Sequence, residues 1–538
     1  MVFVGLDFGT TTSILSYLEG KEPKSFHYGG HASGTPYIPS VVAYLPRTLL
    51  IGQHAAEMLP TEASVYRYFK MLLPEEDRGK WDGDFGAYGG EAREPAQVAA
   101  DFIGELVCGS SPGRERLSLD RQREAFLPVL GEEIEGLVVS VPHVWSDIRA
   151  YGRQQLQAVV NDLLGLPLIQ LISEPVAAAA YFSHLYLKKQ KEPYSGNLLV
   201  CDMGGGTFDV TLCRLRPNRV EVLCNAGNGE RGLGVAGAHF DRNLLDLKLG
   251  KDVRPEVRAE LLGSLDGLKK TSKKSALRLE SYLLEASPQE RVEPIYDLRS
   301  MTTPVSITFD DVCAAFAPVR EGITQVLTEV TEKAERGRHQ IDKVIMVGGF
   351  SQFPLVQQAV GEFFGEDVFN GPRRIDLVTL GRDDMAFAIS YGACLVAGGM
   401  VHVSEIYDHT IGIVAYEKLR GEWTELELVG ARKSLDALEK TTFCLREDGR
   451  RRKFKITSGT VKVTIFIMLS GSGDEDDKLV RTLSLTDVPN SHVPGNLWFL
   501  GTRVDRSKIP YLVIEDEKHG EVKEYPLGDL IPPIIMKD

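Results

Sequence analysis

The sequence predicts an α/β domain of two similar halves with a cleft between them, followed by a small all-β sandwich. A repeated motif predicts the first part. Asp7-Phe8-Gly9-Thr10-Thr11 closes an apolar run and recurs in altered form as Asp202-Met203-Gly204-Gly205-Gly206-Thr207, again closing an apolar run. Each copy sets a carboxylate beside a glycine-threonine loop, so two such loops facing each other could clamp a polyphosphate and a divalent cation. The separation, 202 − 7 = 195 residues, is that of a duplicated half. Beyond about residue 399 the pattern changes to short apolar runs between Gly, Asn, Asp and Pro turns, which predicts strands.

Local context decides the kind of phosphate loop. Residues 2–6 read as a buried strand, 13–18 as the next, and Glu19-Gly20 as a turn, so the glycines sit in a β-hairpin. The second copy repeats this with strands at 198–201 and 208–212, a turn near Pro217-Asn218 and a further strand at 220–223. P-loop and dinucleotide folds need a strand, then glycines, then a helix N-terminus. Neither hairpin fits them. Gly227-Asn228-Gly229-Glu230-Arg231-Gly232 does match GxGxxG, but the strand before it belongs to an antiparallel meander and the glycines continue to Gly234 and Gly237. It predicts a flexible loop bordering the same cleft.

Two more segments complete the pattern. Ser173-Glu174-Pro175 precedes the alanine-rich run Val176-Ala177-Ala178-Ala179-Ala180; proline stiffens a helix entry and fixes where Glu174 points, as a positioned base requires. Val344-Ile345-Met346-Val347 is a buried strand ending in Gly348-Gly349, where missing side chains would let a nucleotide approach the backbone. A lone Glu-Pro start is often only a cap, and a lone Gly-Gly often only a turn. Four such segments in this order point to a nucleotide site.

On these residues the chain resembles the 70-kDa heat-shock (DnaK-type) chaperone family, built on the actin-like (ribonuclease H-like) two-lobed ATPase fold. The likeness covers roughly residues 2–398 and includes Val138-Val139-Ser140-Val141-Pro142 and Ser390-Tyr391-Gly392-Ala393. It implies ATP/ADP and Mg2+ as cofactors, with Asp7 and Asp202 holding the metal largely through water. It implies phosphate contacts from Gly9, Thr10, Thr11 and Thr12 in one loop and Gly204, Gly205, Gly206 and Thr207 in the other. Lys70 falls where the family aligns the attacking water, Glu174 at the acid near that water, Asp209 at the second aspartate of the glycine-rich loop, and Gly348-Gly349 at the adenosine side. Lys70, Glu174, Asp202 and Thr207 are then the expected catalytic set. The chemistry agrees, because phosphoryl transfer to water needs mostly positioning and charge neutralisation.

The departures from the family are equally specific. The adenine-side segment reads Gly348-Gly349-Phe350-Ser351-Gln352, so two polar contacts become Phe350 and Gln352. In the helix expected over Leu268 to Leu279, Ala276 and Leu277 stand at the family's Lys-Arg pair, with Lys273 or Arg278 as neighbouring substitutes. Phe350 is read equally as a ring that stacks on a base or as a core aromatic. The interdomain joint, Val401-His402-Val403-Ser404-Glu405, lacks the family's leucine run, and each large apolar side chain lost removes about 1.5–3 kcal/mol of docking drive. Gln170 and Ser173 replace residues that J-domain co-chaperones use.

Strands are expected at 410–415, 424–429, 461–468, 479–485, 497–500 and 511–515, with no helical lid after Leu530. The chain is thus divided into an actin-like nucleotide-binding domain, residues 1–398, and a β-sandwich, residues 399–538, like a lidless substrate-binding domain. With 538 residues, two or three domains with a substantial core are expected. A net charge of −14 argues against nucleic acid or anionic membranes as partners. The basic runs Lys269-Lys270, Lys273-Lys274 and Arg450-Arg451-Arg452-Lys453 read as solvated faces or turns. Seven cysteines without CxxC spacing indicate reduced thiols and a cytoplasmic protein, and neither a signal peptide nor an 18-residue apolar stretch is seen.

The preferred expectation is an ATP-hydrolysing chaperone that grips unfolded or extended polypeptides under nucleotide control, with J-domain and nucleotide-exchange co-chaperones as further partners the resemblance implies. The alternatives are a nucleotide-gated scaffold for one dedicated partner and an actin-fold small-molecule kinase.

Overall fold

The computed structural model describes residues 1–29, 34–46, 48–58, 63–74, 93–110, 124–146, 150–228, 234–250, 255–284, 293–298, 304–370, 375–407, 409–417, 421–431, 433–455, 461–468, 478–485 and 487–527. The expectations for Gly229 to Gly232 and for the tail beyond Leu530 lie outside them. Contacts divide the chain into two compact units, Met1–Val144 with Gln155–Val403, and Trp145–Gln154 with Ser404–Asp538. The architecture is mixed α/β with several sheets.

The first unit contains two six-stranded sheets that repeat one another. In the first, Glu22–Ser25, Thr12–Glu19 and Val2–Asp7 form an antiparallel meander, and Ile134–Val141 and Leu168–Ser173 follow in parallel. In the second, Arg219–Asn228, Phe208–Arg216 and Gly196–Met203 form the meander, with Lys343–Val347 and Asp376–Val378 in parallel. The 195-residue spacing of the two loops is therefore the spacing of two copies of one sheet. Central strands such as 198–200 read as unbroken apolar runs because both faces are covered, and Leu198, Leu199 and Val200 are fully buried.

His402–Ser404 is the sixth strand of the second sheet, beside Arg219–Asn228, and the His402 N–H donates to the Asn218 carbonyl at 2.9 Å. Counting apolar side chains suggests a weak attachment for this stretch. The attachment found within the first unit is through the main chain, which needs no leucines.

In the second unit, two antiparallel sheets enclose one apolar core. One runs Glu422–Val429, Thr410–Glu417, Val461–Met468, Lys478–Leu485; the other carries Thr442–Phe443, Trp498–Val504, Pro510–Asp516 and Val522–Pro526, with Lys453–Phe454 also on Trp498–Val504. Alternation along the strands aims Ile411, Ile413, Ile465, Trp498, Leu512 and Ile514 into the core. Every strand expected here from the sequence is present. Val522–Pro526, charged and half-exposed, is a further strand that alternation of apolar residues does not mark. All seven cysteines are free, and among the described residues no helix is long and apolar enough to cross a membrane.

Candidate functional site

Each copy of the duplicated sheet delivers an aspartate at the same point of its hairpin. Asp7 ends Val2–Asp7 opposite Ile14; Asp202 lies opposite Asp209, with Val347 on its other side. The two loops meet: a side chain on Gly205 would collide with that of Thr11, and one on Gly206 with that of Thr10. Gly348, at φ +86°, lies where a Cβ would strike the Asp202 carboxylate and the Met203 carbonyl. The first loop is closed by Ser40, whose hydroxyl donates to the Gly9 carbonyl at 2.7 Å and whose N–H donates to the Thr11 carbonyl at 3.0 Å. Thr12 opens the second strand opposite Pro39. Open space lies beside Gly204 and Gly349.

Glu174 is the first residue of the helix Glu174–Gln190, with Ser173 as extended N-cap and Pro175 in the first turn, so the helix dipole favours its charge. Lys70, on the short helix Phe69–Leu72, donates to Glu174 across 104 residues of sequence, and both side chains are buried. Asp7 accepts from the Ser140 hydroxyl at 2.9 Å. Thus Asp7, Asp202, Asp209, Glu174 and Lys70 form one buried, interacting group.

The electrostatics of this group are unbalanced. Burial, then the Glu174 charge, push the Asp7 carboxyl up to about 7 against the opposing pull of Lys70 and Ser140. Asp202 is raised well above the ordinary carboxylate range by burial, then by Glu174, Asp209 and Asp7. Asp209 is pushed up to about 8 by burial and Glu174, with the Thr207 hydroxyl and the Val144 N–H acting in the other direction. Lys70 faces four carboxylates, and Asp202 Oδ2 is buried with no hydrogen-bond partner among the described residues. Such a donor set fits a divalent cation. Among the described residues no three acidic, His or Cys side chains are grouped closely enough to ligate a metal by themselves. Magnesium keeps most of its waters and takes only one or two carboxylates, so it does not require such a group.

The adenosine-side reading changes. Phe350 is buried in the core, stacked on Phe353 at 5.1 Å and packed on Phe240 at 5.6 Å, so the core reading prevails over base stacking. Leu277 is exposed, Lys273 is exposed, and Arg278 donates to Glu293 and the Pro294 carbonyl. The cation placed over the Phe350 ring, at 5.1 Å, is Lys269, which donates to Asp241 at 2.5 and 2.7 Å. The expectation that Lys269 belongs to a solvated face is thereby corrected. Its side chain is largely buried, because Asp241 on a neighbouring helix neutralises it; a lysine run carries no signal of that partner.

The model of the family described as Hsp70 protein matches residues 3–397. The chain belongs to the Hsp70 family. Membership implies an actin-like ATPase fold with a β-sandwich domain, and family members generally bind ATP or ADP with Mg2+. The repeated meander-plus-parallel sheets and the two-sheet second unit do not conflict with this. The chain is also 27% identical over 375 residues to a ribosome-associated molecular chaperone of Eremothecium gossypii, an alignment covering 67% of this chain and 57% of that one. It therefore spans little more than half the length of that relative.

Proposed function

We propose that this Hsp70-family chain binds and hydrolyses Mg-ATP in the site formed by Asp7, Lys70, Glu174, Asp202 and the two glycine-threonine loops. We assign residues 1–398 to the nucleotide-binding domain and 399–538, past the joint strand His402–Ser404, to a β-sandwich that takes extended polypeptide segments under nucleotide control. The buried carboxylate excess around Lys70 carries the reading: burying several like charges is costly unless a counter-charge arrives, and a hydrated magnesium ion is one of suitable size.

Gly204 to Thr207 and Gly9 to Thr12 would hold the phosphates through backbone N–H groups and hydroxyls. Magnesium, when bound near Asp7 and Asp202, supplies positive charge to the phosphate oxygens. Glu174 fixes the Lys70 ammonium, which stabilises the charge that develops on the transferred group, and Asp209 and Glu174 are placed to orient a water. The base contacts are weaker than in the family pattern, since Phe350 is committed to the core.

Polypeptide clients fit the second unit, where a sheet can take a further strand through main-chain bonds. J-domain and exchange-factor partners and a cytoplasmic location are part of the same reading, supported by family membership and free thiols.

The test is phosphate release by the full chain with Mg-ATP and no acceptor. Turnover should be lost in Asp202→Ala and strongly weakened in Asp7→Ala. Wild-type turnover in both variants would sink the assignment.

A further inference from the structure

Lys70 is reached through a strained turn. Tyr68, two residues earlier, has φ 59° and ψ 13°, the left-handed region, which an aromatic L-residue rarely occupies. Its carbonyl accepts the Met71 N–H at 3.0 Å and so starts the single turn Phe69–Leu72 that carries Lys70. Strain of this kind persists only where surrounding contacts enforce it, and it gathers at functional sites.

A contact suited to enforcing it is present. The Arg242 guanidinium lies over the Tyr68 ring, 5.3 Å from its centroid. Arg242 belongs to the helix Gly237–Leu249, whose first N–H groups are already used: Gly237 donates to the Gly204 carbonyl at 3.2 Å and Ala238 to the Gly205 carbonyl at 2.8 Å. The neighbouring Asp241 holds Lys269. Met71, next to Lys70, lies against Gly206, where an added Cβ would sit 3.1 Å from its side chain. One helix therefore bonds the second glycine loop through its N-terminus and grips the Lys70 turn through Arg242.

We propose that Tyr68 and Arg242 are a positioning pair for Lys70, fixing the lysine turn relative to the 204–207 loop by a cation–π contact from the helix bonded to that loop. The role assigned to the pair is positional: it acts through Lys70. The proposal rests on the ATPase reading above only for its kinetic consequence.

The test uses the full chain in four single variants and one double. Arg242→Met and Tyr68→Leu remove the contact, while Arg242→Lys and Tyr68→Phe preserve a cation and a ring. Single-turnover hydrolysis should fall about three- to thirtyfold in the first two, the range a desolvated cation–π contact supplies. ATP affinity should stay within about twofold, because uniform binding is untouched. The conservative variants should stay within about threefold of wild type, and the double variant Tyr68→Leu/Arg242→Met should be no slower than the worse single, as expected of one coupled interaction.

A second readout does not depend on turnover. Hydrogen exchange of the amides of residues 69–72 should accelerate in Arg242→Met and Tyr68→Leu while the rest of the helix 237–249 keeps its protection, which also shows that the variants fold. Unchanged exchange at 69–72, or additive slowing in the double variant, overturns the pair. A wild-type chain without ATP hydrolysis would overturn the ATPase reading alone, and the exchange result would still decide the pair.

Discussion

Asp202 in the first unit and Asp516 in the second are both buried carboxylates, and they differ in almost everything else. Asp202 is surrounded by Glu174, Asp209 and Asp7, and one of its oxygens has no hydrogen-bond partner among the described residues. Asp516 accepts from Asn496, from Asn490 at 3.1 Å, and from the His519 N–H and ring at 2.8 Å each. Burial acts to raise both. At Asp516 the donors win and hold the carboxyl down at about 2, whereas at Asp202 repulsion adds to burial. A carboxylate supplied with donors ties a hairpin together; one set among other carboxylates has the electrostatics expected of a functional site.

The largest effect that could break this comparison is kinetic. Lys70→Ala should retain nucleotide but lose about a hundredfold or more in single-turnover hydrolysis, since one preorganised charge aimed at a transition state typically supplies about 3–4 kcal/mol. An unchanged chemical step would make Lys70 a structural counter-ion and nothing more.

Next comes stability, where the two aspartates should have opposite signs. Asp516→Ala leaves buried donors without an acceptor and should destabilise the second unit by about 1.5–3 kcal/mol, read by calorimetry of the full chain. Asp202→Asn should stabilise the nucleotide-free first unit, by removing repulsion, while abolishing magnesium-dependent nucleotide binding. Equal signs would erase the distinction.

The pH dependence follows from the same shifts. Asp516 is depressed from 3.8 to about 2, so its stabilisation is present above pH 3.8 and is lost as pH falls toward 2. Asp7 and Asp209 are raised from 3.8 to about 7 and about 8, so in the metal-free protein they favour folding at low pH and that contribution disappears as pH rises through 7 to 8. Between about pH 5 and 8, the metal-free first unit should lose stability and regain it with Mg2+, while the second unit stays level. A melting profile of the two transitions against pH checks both.

The smallest effect belongs to the surface of the second unit. The ion pair Lys453–Glu517 is half-exposed, and Lys453→Ala should change stability by less than about 1 kcal/mol. A larger loss would mean that surface pairs hold the sheet.

Much of this is legible in the sequence, for identifiable reasons. The glycine-threonine loops, their hairpins and the strand ending at Val347 are set by local rules: apolar runs, turn residues and the need for glycine where chains touch. The strands of the second unit are legible through alternation. What escapes a sequence reading depends on partners remote in the chain. Lys269 and Asp241 are 28 residues apart on different helices, and neither residue type announces the other. The strand His402–Ser404 escapes because main-chain pairing leaves no compositional trace. Phe350 stays ambiguous until its packing on Phe353 is seen, since an aromatic suits a core and a base equally.

The central claim is that the buried carboxylate group is a magnesium–nucleotide site, and calorimetric titration of the full chain with ATP, in the presence of Mg2+ and then of a chelator, tests it most directly. Saturable binding with Mg2+ that collapses in the chelator is the predicted result, because the metal's charge both neutralises the triphosphate and lets the raised Asp7 and Asp202 carboxyls ionise beside it. Equal affinity under both conditions, or no binding with Mg2+, would contradict it.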